Sequence, residues 1–141
     1  MTRQSRFVLL LVAAAVVFIV FAKSNTRKAA PPAGDAAALL ADAAKEGRPA
    51  WLLVHSNMCA ACKEMSRVFA GLKTQYGERI AFVEVQFDDQ AQQATLAKYG
   101  VKMIPTTVLL DRRGKVDFNQ VGPLTREEMD ARLSGLLEDA K

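Results

Sequence analysis

The sequence predicts an α/β domain: a mixed central sheet with helices packed on it. Three observations carry this. Segments with apolar residues at helical spacing alternate with short apolar runs of strand length. The turn Asp111-Arg-Arg-Gly114 joins two of those runs as a hairpin. A Thr125-Arg-Glu-Glu128 capping box opens one last helix. The resulting order is α-β-α-β-α-β-β-α over residues 35–141, enough chain for one domain.

The elements follow in turn. Asp35 has the side chain of a helix cap, so a helix is expected over 36–46, stopped by Gly47. Residues 50–54 are an apolar strand. A helix is expected from Cys59 to about Tyr76, with Met65, Val68, Phe69 and Leu72 on one side and Gly77 at its end. Residues 80–87 read as a strand that is mostly apolar on both faces. Asp88 or Asp89 then caps a short helix to Tyr99, stopped by Gly100. Pro105 precedes a strand over 106–110, the hairpin returns along 115–121, and the last helix runs to about Asp139.

The N-terminal segment is of a different kind. Residues 7–22 are 16 consecutive residues without charge, Gly or Pro, preceded by Arg3 and Arg6. This is the layout of an export signal, a basic region followed by an apolar one. A 16-residue helix spans roughly 24 Å, slightly short of a ~30 Å hydrocarbon core, and the flanking Arg6 and Lys23 can snorkel. Residues 1–22 are therefore expected to be an uncleaved signal anchor with one transmembrane helix, or a signal peptide cleaved after Val20-Phe21-Ala22. Residues 23–34, with Pro31-Pro32, read as an extended linker. The formal charge of +4 arises here: residues 1–28 hold five cations and no acid, and the rest holds 14 Lys and Arg against 15 Asp and Glu. The basic balance is thus no sign of a nucleic-acid partner.

The chemistry centres on Cys59-Ala60-Ala61-Cys62, the only two cysteines in the chain, placed between a strand and a helix. Disulfide exchange needs a thiolate, and a helix N-terminus stabilises one through its free N–H groups and dipole. Cys59 stands where the helix starts. Cys62 is nearly one turn on, within bonding reach on the same side. Cys59 is then the nucleophile that attacks a substrate disulfide, and Cys62 the thiol that resolves the mixed disulfide. Lys63 adds positive potential beside the pair. No cofactor and no metal is needed for this reaction.

Three separated stretches together resemble the thioredoxin-like family. They are the Cys-x-x-Cys turn, Lys98-Tyr-Gly-Val-Lys-Met-Ile-Pro-Thr106, and Gln120-Val-Gly-Pro-Leu-Thr125. The resemblance covers residues 35–141 and implies a thioredoxin fold, here preceded by the transmembrane or signal helix. It implies a cis peptide before Pro105, and an apolar surface for docking substrate made by Ala60, Ala61, Ile104, Pro105, Val121 and Gly122. It also implies partners that are protein disulfides or dithiols. Departures from the family pattern stand at the centre: Met58 in place of an aromatic, Ala-Ala in place of Gly-Pro, and Leu53 where an acid is usual. Glu84 on the neighbouring strand is a candidate substitute for that acid, or else a solvent-facing strand residue. His55, the only histidine, is either a group that tunes the thiolate or a ring that fills the end of its strand.

With the export-type segment, the expected setting is a bacterial-type inner membrane, crossed once, with the domain on the periplasmic, extracytoplasmic side. A membrane-embedded electron donor or acceptor is then the expected second partner. A different reading uses Cys59 and Cys62, with His55 or Met58, as a Cu(I) carrier. A third is a non-catalytic module of the same fold, for which a retained cysteine pair has no use.

Overall fold

The computed structural model describes residues 35–138. The expected signal or transmembrane helix over 1–22 and the linker over 23–34 lie outside the described residues, as does the end expected for the last helix near Asp139. No helix among the described residues is long and apolar enough to cross a membrane.

Eight principal elements appear in the expected order: α1 (Ala36–Lys45), β1 (Ala50–His55), α2 (Ala60–Tyr76), β2 (Ala81–Gln86), α3 (Gln93–Lys98), β3 (Thr106–Leu110), β4 (Val116–Val121) and α4 (Arg126–Glu138). The four strands form one mixed sheet in the order β2-β1-β3-β4. β1 pairs parallel with β2 and antiparallel with β3, and β3 pairs antiparallel with β4.

β1 is the hub. All six of its residues are buried, because helices cover both faces of the sheet. Its side chains alternate between two cores, as the pleat requires. Leu52 and Val54 join Leu40 of α1 and Leu96 of α3. Trp51 and Leu53 join Phe69 of α2 and Leu133 of α4. On that second face Trp51, Phe69 and Phe82 form a three-ring cluster with centroids 4.8–5.3 Å apart and tilted planes, the favoured edge-to-face geometry.

The helix ends show why these residues are where they are. Asp35 Oδ1 accepts from Ala37 and Ala38 N–H at the start of α1. Thr125 and Glu128 form the reciprocal capping box of α4: Thr125 N–H donates to Glu128 Oε2 at 2.8 Å and Glu128 N–H to Thr125 Oγ1 at 3.2 Å. The hairpin turn closes through Asp111 Oδ1, which accepts from Arg113 and Lys115 N–H. Tyr76 at the end of α2 donates to Asp130 at 2.8 Å and meets Ser134 at 2.9 Å, tying α2 to α4.

Several boundaries differ from expectation by a residue, and two differ for a reason the structure shows. The strand expected over 80–87 is shorter, because Ile80 N–H bonds the Tyr76 carbonyl and completes the turn that ends α2. The helix expected from Asp88 or Asp89 to Tyr99 is split into a 3₁₀ turn, Gln90–Gln92, and α3. That turn carries Gln92 inward, where its Oε1 accepts the Ala36 N–H at 3.1 Å.

Phe69 is central to the aromatic cluster, so Phe69→Ala is expected to destabilise the domain by about 3–5 kcal/mol. Equilibrium denaturation by urea reads this directly; a loss below about 1 kcal/mol contradicts the role given to the cluster.

Candidate active site

The last residue of β1 leads through a short polar turn into α2, and the two cysteines sit at this junction. Cys59 is the N-cap of α2, with extended backbone (φ −103°, ψ 121°). The expected helix start at Cys59 is thus off by one residue, in the way that matters chemically: a cap side chain faces the free N–H groups. Cys59 Sγ accepts the Cys62 N–H at 3.2 Å. Cys59 N–H in turn donates to the Ser56 carbonyl at 3.3 Å, and Ser56 Oγ accepts from Met58 N–H, which shapes the turn. Both cysteines are free thiols; Cys59 is half-buried and Cys62 fully buried.

This environment separates the two sulfurs. The Cys59 thiol is held below its ordinary value, chiefly by the hydrogen bond from the Cys62 side chain, then by the Cys62 N–H, with the Ala61 N–H adding to it. The Cys62 thiol is pushed up, first by burial and then by the hydrogen bond it gives to Cys59; the Ser56 N–H acts in the opposite direction. Negative charge on the pair is therefore favoured on Cys59, the sulfur that reaches solvent, over Cys62. Lys63, expected to add positive potential, is exposed on α2 and is not among the groups that move Cys59.

The topology gathers the other expected residues at the same end of the sheet. β3 runs antiparallel to β1 with Thr106 opposite Val54, so Ile104 and Pro105 lie beside the turn that carries Cys59. The Ile104–Pro105 peptide is cis. Val121 pairs with Thr106, and Gly122 N–H donates to the Pro105 carbonyl at 2.8 Å. Gly122 has φ 103°, a conformation that glycine alone adopts freely. Leu124 N–H donates to Met65 Sδ at 3.3 Å, pinning this loop to α2 one turn beyond Cys62. Ala60 and Val121 are exposed, Ala61, Ile104 and Gly122 half-buried, and Pro105 buried.

His55 and Glu84 are brought together. His55 is buried at the end of β1, and its Nε2 lies 3.0 Å from Glu84 Oε1 on β2. Glu84 Oε1 also accepts from Ser66 Oγ of α2 at 3.3 Å, and the Gln86 side-chain amide lies 3.3 Å from His55 Nε2. Glu84 is exposed on β2, as a solvent-facing strand residue would be, and makes these contacts from there. Its Cα partner across the ladder is Leu53, the position where the family pattern has an acid.

Sequence reasoning singled out Met58 but missed Met103, Ser66 and the place of Met65 in the site. Met58 is 95% exposed and Met103 60% exposed, two large apolar side chains in the loops that flank Cys59 and Pro105. A Met next to a Cys-x-x-Cys, and a second just before the Ile-Pro, were the available signals. Met65 and Ser66 gave none, since their partners are remote in sequence. Among the described residues no group of three or more His, Cys, Asp or Glu is arranged to hold a metal.

Comparison with known proteins adds the following. The family model for the thioredoxin-like domain matches residues 37–136. Thioredoxin-like protein HCF164, chloroplastic, of Arabidopsis thaliana is 27% identical over 95 residues, which is 67% of this chain and 36% of that protein. Thiol:disulfide interchange protein TxlA of Synechococcus elongatus is 31% identical over 91 residues, 64% of this chain and 48% of that one. The chain thus spans between a third and a half of the length of these relatives. The solved structure of thioredoxin-2, described as a component of malaria parasite protein secretion machinery, superposes with a TM-score of 0.57 over 62% of this chain and 82% of that one; at 23% identity it speaks for the fold alone.

The charge separation has a direct readout. Cys59 is expected to react with iodoacetamide with an apparent pKa below the ~8.5 of an ordinary thiol. Cys62→Ala should raise that value, since the chief hydrogen bond to the thiolate is lost. A Cys59 profile at or above the ordinary value contradicts the assignment.

Proposed function

The chain belongs to the thioredoxin-like family, and on that premise we propose that it is a protein thiol–disulfide oxidoreductase working through Cys59 and Cys62. The observation that carries this is the asymmetry of the pair: an accessible Cys59 at the helix cap with a lowered pKa, and a buried Cys62 with a raised one. The similarity to a thiol:disulfide interchange protein supports the same reading.

The reaction follows from that asymmetry. Cys59 thiolate attacks one sulfur of a substrate disulfide; the S–S bond breaks and the other substrate sulfur leaves as a thiolate. Cys62 then loses its proton and attacks Cys59 Sγ. The mixed disulfide breaks, the substrate departs as a dithiol, and Cys59 and Cys62 remain oxidised as a disulfide. The same steps reversed donate a disulfide. Exposed Met58 and Val121, with Ile104 and the cis Pro105, offer an extended substrate segment an apolar surface around Cys59. A Cu(I) carrier is the weaker reading, because among the described residues no His, Asp or Glu joins the two cysteines in a group arranged to hold a metal.

The basic and apolar N-terminal layout supports a domain tethered to a membrane on its extracytoplasmic side, re-reduced or re-oxidised by a membrane-embedded partner. Cys62→Ser tests activity and place together, because it arrests the reaction at the mixed disulfide. Expressed as the full chain, it is expected to accumulate covalent adducts with exported proteins that dithiothreitol releases. Folded Cys62→Ser protein without adducts contradicts the activity; adducts with cytoplasmic proteins alone contradict the location.

A further inference from the structure

The surface around Cys59 continues into a groove that the cysteine chemistry does not use. Val121 and Gly122 run directly into Pro123, and the chain from there to residue 126 forms one wall. Glu64 and Val68 of α2 form the other. The groove encloses about 430 Å³, within the size range of ligand sites. Its floor is apolar: half-buried Val68, buried Leu124 and the exposed ring of Pro123. The bond from Leu124 N–H to Met65 Sδ at 3.3 Å holds the two walls together.

Opposite charges stand at its two ends. Glu64 is exposed and forms no ion pair among the described residues. Arg126 is drawn to the far end. Its Nη2 donates to Gln75 Oε1 at 3.5 Å, and its Nη1 lies over Gly71, where a Cβ would collide with it. A glycine inside a helix weakens it, and here it leaves the space that seats the guanidinium. Gly71 and Gln75 are about two and about three turns beyond Glu64 on α2, so the acid is the charge nearer the cysteines. Lys63 and Arg67 do not line the groove.

The spacing of these groups fits an extended chain. Glu64 and Val68 are one turn apart on the same face of α2. At 1.5 Å per residue they lie about 7.5 and about 13.5 Å along the helix from Cys59. A strand advances about 3.3 Å per residue and turns alternate side chains to one side. The second and fourth residues from a cysteine held at Cys59 therefore reach Glu64 and the Val68 floor.

We propose that this groove is a second subsite for the protein substrate, taking the extended segment next to the reactive cysteine. A Lys or Arg two residues from that cysteine pairs with Glu64, and an apolar side chain two residues further on sits on Val68, Pro123 and Leu124. The apolar side chain contributes most of the affinity, because it leaves water. The exposed ion pair adds little affinity and serves to select the segment and fix its register. An acid at the second position meets Glu64 with like charge and is rejected.

This rests on the oxidoreductase reading, and the test separates the two. The pre-reduced full chain is mixed with synthetic peptides whose one cysteine is in a disulfide with thionitrobenzoate, and the coloured thiolate released by attack on the peptide sulfur is followed by stopped flow. One peptide set carries the pattern on the N-terminal side of the cysteine, the other on the C-terminal side. On one of the two sides, Lys at the second position with Leu at the fourth is expected to react roughly tenfold faster than Ser at both. Glu64→Lys should reverse the choice at the second position, favouring Glu over Lys. Glu78→Lys, the same charge change at an exposed site outside the groove, should keep the preference for Lys. Val68→Ala should weaken the preference for Leu and leave that for Lys. Peptides that all react within about twofold of one another, or a preference for Lys that survives Glu64→Lys or is lost equally in Glu78→Lys, overturn the subsite. If no peptide releases thionitrobenzoate faster with wild type than with Cys59→Ser, the oxidoreductase reading fails, and this inference with it.

Discussion

The hydrogen bond from Cys62 N–H to Cys59 Sγ is the contact on which the chemistry depends. It exists only because Cys59 occupies the cap of α2 and not its first turn. A cap side chain meets free N–H groups that a residue inside the helix does not. That placement depends in turn on β1. A strand buried along its whole length, clamped between β2 and β3, delivers the chain to one fixed point and leaves three residues to turn it into the helix.

From there the two sulfurs diverge by burial. Three residues of helix carry Cys62 under the surface, where the same donors that help Cys59 are absent and desolvation keeps its proton on. Division of labour between otherwise equivalent thiols is therefore a consequence of backbone position. The surrounding loops complete the arrangement through their own backbone bonds: Gly122 to Pro105, and Leu124 to Met65 on the helix that bears the cysteines. These loops and the cysteine pair share one end of the sheet.

Much of this was legible in the sequence, where the signals are local. Asp35, the Thr125–Glu128 box and Asp111 act on neighbours within four residues, and each does in the structure what its spacing predicts. The cysteine pair is local as well. Glu84 was named as a candidate on the neighbouring strand, but its partners were not legible, because they depend on the register beside β1 and on remote contacts; the ladder sets it across from Leu53, and Ser66 reaches it from 18 residues away. The break in the helix before Tyr99 was hidden for the same reason, since Gln92 is turned inward by a bond to Ala36, 56 residues distant. Periodicity also extended the second strand too far, counting Ile80 for its hydrophobicity when its N–H belongs to the end of α2.

At the centre of this account stands a single reversible couple formed by two unequal sulfurs. Equilibrating the full chain in dithiothreitol buffers of graded poise, quenching with acid and alkylating the remaining thiols measures it directly. Cys59 and Cys62 should lose their free thiols together, along one two-electron curve, in a monomer that carries a Cys59–Cys62 disulfide. Oxidation of Cys59 alone, into dimers or adducts with Cys62 still open to alkylation, would contradict the account.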